Sequence, residues 1–229
     1  MASYLSLEYF SNGKTSSTQR LTGLFSVESK SADFAVKRGL DIVLSFIGLL
    51  LALPVMSIIA IVVRLHSSGP VLYRSLRVGR KGKIFVCYKF RTMVVDAEKQ
   101  QERLRCRNER IGAIFKIAND PRVTAAGRFL RRYSLDELPQ LWNVLRGEMS
   151  LVGPRPHPLD DVRRYAPADH RRLEITPGLT GLWQVTARRD PSFHRNIALD
   201  VQYIEQRTLW MDLAILYKTI FAVLGGTGA

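Results

Sequence analysis

The most prominent pattern in the chain is an uncharged apolar run from Ile42 to Val63. A helix of these 22 residues would extend ~33 Å at a rise of ~1.5 Å per residue, about the thickness of a bilayer core. No helical period within the run supplies the polar face that a core helix of a water-soluble protein usually has. The run is therefore predicted to be a membrane helix.

Two features bear on whether this helix crosses the membrane. Pro54 lies inside the run, where a proline removes a backbone hydrogen bond and kinks or breaks a helix. The flanks are basic on both sides, with Lys37 and Arg38 before the run and Arg64 after it. Since basic residues mark the cytoplasmic side, two basic flanks favour both ends being cytoplasmic. These residues alone fit a re-entrant helix-break-helix at Pro54 and a kinked spanning helix equally well.

The remaining pattern predicts an α/β fold that is mostly helical, with a small β component. Short apolar runs predict two strands around a turn at residues 79–82. Apolar residues spaced three and four apart predict an amphipathic helix that ends at Gly147. A stripe of leucines near the end of the chain predicts a further helix, which packs in the core or lies in the membrane interface. The predicted strands are Val71–Tyr73 and Ile84–Tyr88, and the predicted helices are Asp96–Arg110, Leu138–Leu145, Ile197–Arg207 and Leu209–Phe221.

These elements predict four parts along the chain. Residues 1–33 are rich in Ser and Thr and close to neutral, which is typical of a flexible N-terminal extension. Residues 34–66 form the membrane hairpin, 67–222 a cytosolic domain with interfacial helices, and 223–229 a tail.

The charge of the chain is strongly positive. Thirty-four Lys and Arg oppose twenty Asp and Glu, a formal net charge of +14. Such a balance favours polyanionic partners: nucleic acid, anionic lipid or phosphorylated substrates. Two cysteines, Cys87 and Cys106, exclude a disulfide framework, and Cys87 is interpreted as a small buried hydrophobe. The four histidines show no metal-ligand spacing.

The segment from Ser134 to Pro139 contains two adjacent acids, Asp136 and Glu137. One interpretation is a capping box, in which Ser134 and Glu137 bond each other's backbone at a helix start. The other is a helix that starts near Asp136. Pro139 would then lie in the first turn, where proline is tolerated, and both carboxylates would lie at the helix N-terminus, whose free N–H groups bind anions. Because neighbouring side chains point in different directions, one acid could then attack while the other holds a metal.

Basic residues near this segment favour a phosphate-binding site. Arg155 stands between two prolines, which fix its approach at low entropic cost. Arginine forks match phosphate oxygens bidentately and lysine acts as a point charge. The other candidate cations are Lys89, Arg91, Arg131 and Arg132.

Five motifs follow one another between about Phe34 and Phe221, and together they resemble those of a known family. They are residues 37–41 (KRGLD), 89–93 (KFRTM), 134–141 (SLDELPQL), 147–156 (GEMSLVGPRP) and 177–181 (PGLTG). The chain resembles the bacterial sugar transferases, the monotopic polyprenyl-phosphate hexose-1-phosphate transferases. It is most similar to the small members with a single membrane anchor.

The resemblance implies an enzyme that moves a hexose 1-phosphate from a UDP-sugar to undecaprenyl phosphate and releases UMP. This is the first membrane step of exopolysaccharide or glycan assembly, with galactose favoured over glucose. The resemblance also implies a monotopic protein in the bacterial inner membrane, with its catalytic domain facing the cytosol and its membrane helix re-entrant. A homo-oligomer is left open.

The resemblance also implies roles for individual residues. Asp136 matches the nucleophile and Glu137 the acid beside a catalytic Mg²⁺. Lys37 and Arg38 match residues that hold the broken turn at Pro54. The residues that match phosphate and nucleotide contacts are Lys89, Arg91, Arg131, Arg155 and Arg188. Before Arg188 the family usually has glycine, whereas this chain has Ala187, so the local geometry is expected to differ if a positive φ is required.

Two non-enzymatic functions compete with the transferase hypothesis. The positive charge permits a membrane-tethered nucleic-acid binder, but the sequence has no recognised nucleic-acid module and no aromatics interleaved with its basic residues. A scaffold that holds anionic lipid through its basic surface is the other candidate. Neither explains the adjacent acids Asp136 and Glu137, and we expect no nucleic-acid partner.

Overall fold

The computed structural model describes residues 20–101, 103–104, 117, 119–188, 190 and 192–226, and of residues 20–32 and 101 the backbone alone. The chain divides into two units after Leu40, and the described residues of the first unit belong to one helix. The helices are α1 (Arg20–His66), α2 (Ala97–Gln101), α3 (Ala125–Arg132), α4 (Gln140–Leu145), α5 (Leu159–Val162), α6 (Leu182–Thr186), α7 (Phe193–Gln206) and α8 (Leu209–Leu224). The strands are β1 (Leu72–Val78), β2 (Ile84–Phe90), β3 (Ser150–Val152) and β4 (Gly178–Thr180). Short 3₁₀ turns cover Arg80–Gly82, Leu135–Glu137 and Pro167–Leu173.

Helix α1 contains the apolar run, which confirms the long apolar helix. Among the described residues it alone is long and apolar enough to cross a membrane. Many of its apolar side chains are exposed, Leu51 at 76% for example, so the helix is compatible with membrane association. Helix α1 continues through Pro54, so the structure does not show the expected break at this proline. Ser57 Oγ donates to the Leu53 carbonyl at 3.0 Å beside it.

The second half of α1 packs directly on the domain that follows it. Ile59 and Val63 are buried in a cluster with Phe90 of β2 and Leu130 of α3. Nearer the start of the apolar run, the Asp41 carboxylate accepts the backbone N–H of Leu151 at 2.9 Å. Because Asp41 is itself buried, this bond ties the apolar helix to strand β3.

Strands β1 and β2 form an antiparallel hairpin at the two predicted positions. Leu72 lies opposite Phe90 and Val78 opposite Ile84, so all seven pairs are in register. The predicted turn is confirmed as the 3₁₀ turn at 80–82, but the first strand runs further than Val71–Tyr73. The second half of β1 alternates polar Ser75 and Arg77 with apolar Leu76 and Val78, so the predicted strand ended too early.

The largest core joins this hairpin to a second, parallel pair of strands. Ser150 of β3 pairs with Gly178 of β4, and Val152 with Thr180. Cys87 is buried here, as its interpretation as a small hydrophobe required. The buried members of the core are Phe85, Cys87, Leu141, Val144, Met149, Leu151, Val152, Ile175, Tyr203 and Ile215.

Two glycines shape the helices beside the candidate acids. Helix α4 ends at Leu145, and Gly147 follows with φ +78°, as the predicted stop requires. In α3, a Cβ built on Gly127 would lie 2.1 Å from the Thr92 carbonyl oxygen. Only glycine lets α3 approach the segment after β2 so closely.

The last two predicted helices are present as α7 and α8, within a few residues of the predicted bounds. In α8 the buried residues are Asp212 and Ile215, and Leu216 packs against the largest core. Leu213 is exposed, so the predicted leucine stripe is divided between core and surface. Of the charged helix predicted over residues 96–110, α2 covers Ala97–Gln101; residues 102 and 105–110 lie outside the described part of the chain.

Candidate active site

The candidate acids meet cations from two other segments. Lys89 Nζ, on β2, donates to Glu137 Oε1 at 2.6 Å. Arg155 lies in the loop after β3 and donates Nη1 to Glu137 Oε2 at 3.1 Å and Nη2 to Oε1. The guanidinium therefore binds the carboxylate in the bidentate arrangement that is typical of strong charge-assisted pairs. Three residues that are far apart in sequence form one charged cluster.

The turn that carries the acids has an unusual backbone. Ser134 has φ +55°, and its side chain makes no capping bond to the turn that follows. The capping-box interpretation is wrong, because the Glu137 side chain binds Lys89 and Arg155 instead. The acids occupy a 3₁₀ turn and α4 begins only at Gln140, so Pro139 precedes the helix and its missing N–H costs no helical bond.

Asp136 is buried, with 7% of its surface exposed. Burial raises the pKa of its carboxyl group above the ordinary value, and the negative charge of Glu137 raises it further. Lys89, Arg131 and Arg155 oppose this rise. Asp136 is thus a desolvated carboxylate whose ionised form depends on the cations around it.

Glu137 behaves in the opposite way. Burial alone would raise its pKa, but Arg155 and Lys89 outweigh burial and hold the pKa well below the ordinary value. In return, Glu137 raises the pKa of Arg155. The two adjacent acids therefore differ: Glu137 is firmly ionised, and Asp136 is the one that binds a proton more readily.

Arg131 and Arg188 complete the cationic surroundings. Arg131 Nε donates to Thr92 Oγ1 at 2.9 Å, and Arg131 acts electrostatically on Asp136. Arg188 Nη2 donates to Ser134 Oγ at 2.8 Å, next to the acid turn. Ala187 has φ −134°, so its position needs no glycine.

Arg91 lies in a different place from the other predicted cations. Its Nη2 donates to the Ser67 carbonyl at 2.6 Å, in the segment after α1, and its guanidinium lies against Gly69. Lys37 and Arg38, the residues predicted to support the membrane turn, lie in α1.

Sequence reasoning missed Thr92 as a partner of the site. Its hydroxyl holds Arg131, and its carbonyl accepts the backbone N–H of Thr124 at the start of α3 at 3.0 Å. Thr92 is part of the KFRTM motif, so the motif marked the position without indicating what the hydroxyl does.

The donor chemistry of the site fits a magnesium ion that is shared with a substrate. Mg²⁺ prefers one or two carboxylates completed by phosphate oxygens and water. Asp136 and Glu137 supply two carboxylates at one place, and the described residues contain no group of three or more His, Cys, Asp or Glu that could hold a metal alone. The fit therefore depends on phosphate oxygens of a ligand.

A family model described as bacterial sugar transferase matches residues 32–226, which include the apolar run of α1 and every residue of this cluster. The chain belongs to the bacterial sugar transferase family. The match places the acid pair and its cations within a family of sugar transferases rather than of nucleic-acid binders.

Curated relatives give the family a biochemical context. The chain is 44% identical over 201 residues to the galactosyl transferase CpsE of Streptococcus agalactiae, covering 87% of this chain and 44% of the relative. It is 45% identical over 206 residues to the undecaprenyl-phosphate galactose phosphotransferase of Salmonella typhimurium, covering 88% and 43%. The chain thus spans less than half the length of these two relatives. With the exopolysaccharide production protein ExoY of Rhizobium meliloti it shares 43% identity over 197 residues, covering 84% and 87%.

The electrostatics of the acid pair predict the effect of Glu137→Gln on its neighbour. Glu137 raises the pKa of Asp136 and also neutralises Lys89 and Arg155, so its loss should lower the pKa of Asp136. Carboxyl ¹³C shifts followed against pH measure this pKa. Glu174→Gln, at an exposed surface acid, is the control and should leave it unchanged. An unchanged or higher Asp136 pKa in Glu137→Gln would contradict the electrostatic description.

Proposed function

We propose that this chain is a phosphoglycosyl transferase that moves a hexose 1-phosphate from a UDP-sugar to undecaprenyl phosphate and releases UMP. The observation that carries the proposal is buried Asp136 beside Glu137, with Lys89 and Arg155 bound to that second acid. A nucleophile among phosphate-binding cations is what transfer of a sugar phosphate requires. Family membership and the names of the relatives support the same reaction.

In the proposed reaction, Asp136 is the nucleophile in two successive displacements. A carboxylate oxygen attacks the sugar-side phosphorus of the donor, a phosphorus–oxygen bond breaks, and UMP leaves with the bridging oxygen. The sugar phosphate is then joined to Asp136. A phosphate oxygen of the acceptor attacks the same phosphorus, which frees the carboxylate and gives the lipid-linked diphosphate sugar. Two steps let one nucleophile serve a water-soluble donor and a lipid acceptor in turn.

The cations around the acids have a proposed role in binding the donor. Lys89 and Arg155 are held by Glu137 in the absence of substrate, so they are already in place for a diphosphate. Arg131 and Arg188 would add contacts to phosphate or nucleotide. Ionised Asp136 is needed for attack, and these positive charges oppose the effect of burial on its pKa.

We also propose that Mg²⁺ binds at this site, with Glu137 and donor phosphate oxygens as ligands. Both Glu137 oxygens accept hydrogen bonds from Lys89 and Arg155 in the structure, so the ion would bind as the donor phosphates take over these two cations. When bound, the ion would neutralise charge on the diphosphate and favour departure of UMP. The support is the donor chemistry of the two acids.

The galactose donor is proposed on the names of relatives. Two of the relatives above are named for galactose, whereas a 39% identical protein of Escherichia coli is named UDP-glucose:undecaprenyl-phosphate glucose-1-phosphate transferase. We therefore expect UDP-galactose to be the preferred donor and UDP-glucose the next.

We propose further that the protein is monotopic in the inner membrane, with the domain that contains the acids on the cytosolic side. Supporting observations are the exposed apolar side chains of α1 and Pro54 within it. The basic residues after the helix add attraction to anionic lipid, whose head groups lie at the same surface. In this arrangement α1 would bend at Pro54 and return to the cytosolic face.

The membrane proposal predicts that tags at residues 30 and 70 are both accessible from the cytosolic side. Impermeant thiol labelling of single cysteines at these positions, in sealed inverted vesicles and intact cells, measures the sidedness. Tags on opposite sides would rule out the re-entrant helix and leave α1 as a spanning helix.

Replacement of Asp136 tests the proposed reaction most simply. Full-length protein with Mg²⁺, undecaprenyl phosphate and labelled UDP-galactose should produce labelled lipid. Asp136→Asn should lower the rate more than ~1,000-fold, because the amide is a poor nucleophile.

The matched control is Asp160→Asn, the same change at a surface acid whose side chain is 81% exposed. It should retain the rate of the wild-type protein. No labelled lipid from the wild-type protein with any donor of a UDP-sugar panel would contradict the proposed function. Substantial activity in folded Asp136→Asn would exclude Asp136 as the nucleophile.

A further inference from the structure

The loop that carries Arg155 is held along its whole main chain. Its four residues, 154–157, each have a carbonyl group that accepts a hydrogen bond. The first carbonyl accepts from the backbone N–H of Gly178 at 2.8 Å and the last from that of Val78 at 3.1 Å. The ends of the loop are therefore fixed by backbone contacts with the two strand pairs.

The two middle carbonyls are held differently, by arginine side chains. The Arg155 carbonyl accepts from Arg172 Nη2 at 3.0 Å, and the Pro156 carbonyl accepts from Arg77 Nη1 at 3.3 Å. The main chain of Arg155 itself thus depends on a side chain from the 3₁₀ turn at 167–173. A cationic donor makes this a charge-assisted bond.

Arg172 is almost completely buried, with 3% of its surface exposed. Besides the Arg155 carbonyl, its Nη2 donates to Asp200 Oδ2 of α7 at 2.5 Å. Its Nη1 donates to the Tyr165 hydroxyl at 2.7 Å and lies 2.6 Å from His157 Nδ1. Each terminal nitrogen of the guanidinium thus has two partners, which leaves the group one orientation.

Asp200 supplies the negative charge that this buried arginine needs. It is 1% exposed and forms an ion pair with Arg172. Burial raises the pKa of Asp200 to about 6, and Arg172 opposes the rise. A buried ion pair stabilises a fold little better than apolar side chains of the same size, so a fixed direction for the arginine is the more specific consequence.

We propose that Arg172 is a positioning residue. With Asp200 as its counterion, Arg172 fixes the main chain of Arg155, so that the Arg155 guanidinium binds Glu137 before substrate binds. The inference rests on the proposed function, because its consequence is a preorganised phosphate-binding cation. Arg172 acts through Arg155 and is not in contact with Glu137 in this arrangement: its bonds go to the Arg155 carbonyl, Asp200, Tyr165 and His157.

The proposal predicts more than a loss of folded protein. Arg155 is the cation whose main chain Arg172 holds, and in the proposed function it contacts the donor diphosphate. If Arg172 no longer holds Arg155, the KM for UDP-galactose should rise while kcat falls. A purely structural role would reduce the amount of active protein, which lowers the apparent kcat and leaves KM unchanged.

The test compares Arg172→Gln with Arg171→Gln in the full chain. Arg171 is the adjacent residue, and its exposed side chain pairs with Glu205 at 2.9 Å on the surface. Arg172→Gln should lower kcat at least ~10-fold, the loss expected when a positioned phosphate contact becomes loose, and raise the KM for UDP-galactose. Arg171→Gln should change neither. Thermal unfolding and circular dichroism monitor the fold of each variant.

Arg172→Lys provides a second variant in case the glutamine protein does not fold. Lysine keeps a charge beside Asp200 but lacks the planar fork that reaches several partners at once, so the same rise in KM is expected. An unchanged KM for UDP-galactose in a folded Arg172 variant, or failure of both variants to fold, would overturn the inference. If the wild-type protein produces labelled lipid in the same series, such a result contradicts the role of Arg172 and leaves the proposed function intact. If the wild-type protein produces no labelled lipid, the proposed function itself is contradicted.

Discussion

Glu137 accepts hydrogen bonds from two cations that the chain brings from separate places, Lys89 on β2 and Arg155 after β3. Without this shared carboxylate, two positive charges would stand side by side near a buried acid. With it, the three-residue cluster carries one net positive charge instead of two, the cations are held in fixed positions, and Asp136 next to it can be desolvated. The same bonds connect the hairpin, the acid turn and the loop after β3, so the folding of the site and its charge balance depend on one interaction.

The apolar helix α1 is joined to this arrangement by buried contacts rather than by chain continuity alone. Asp41 of α1 caps the backbone of Leu151 in β3, and β3 leads directly into the loop that carries Arg155. Further along α1, Ile59 and Val63 pack with Leu130 of α3, four residues before Ser134. Contacts at both ends of the apolar run therefore set where the acid pair lies relative to the helix.

Much of the site was predictable from sequence because its residues lie in contiguous motifs of one family. Asp136, Glu137, Lys89 and Arg155 were predicted, and the structure brings them together. Contacts that depend on distant parts of the chain could not be predicted: Arg172 reaches Arg155 across 17 residues and Asp200 across 28, and no local pattern encodes such pairs. The fold shows a similar division, since the apolar run and the terminal helices were found from periodicity, whereas the full length of β1 was established only by its pairing with β2.

The central claim is that Asp136 becomes covalently joined to the sugar phosphate, and mass spectrometry of peptides tests it most directly. The full chain is incubated with Mg²⁺ and UDP-galactose in the absence of undecaprenyl phosphate, quenched in acid and digested. The account predicts a hexose-phosphate adduct on Asp136 that hydroxylamine removes and that disappears when acceptor is added before the quench. An adduct on a different residue, or none under conditions in which added acceptor yields product, would contradict the account.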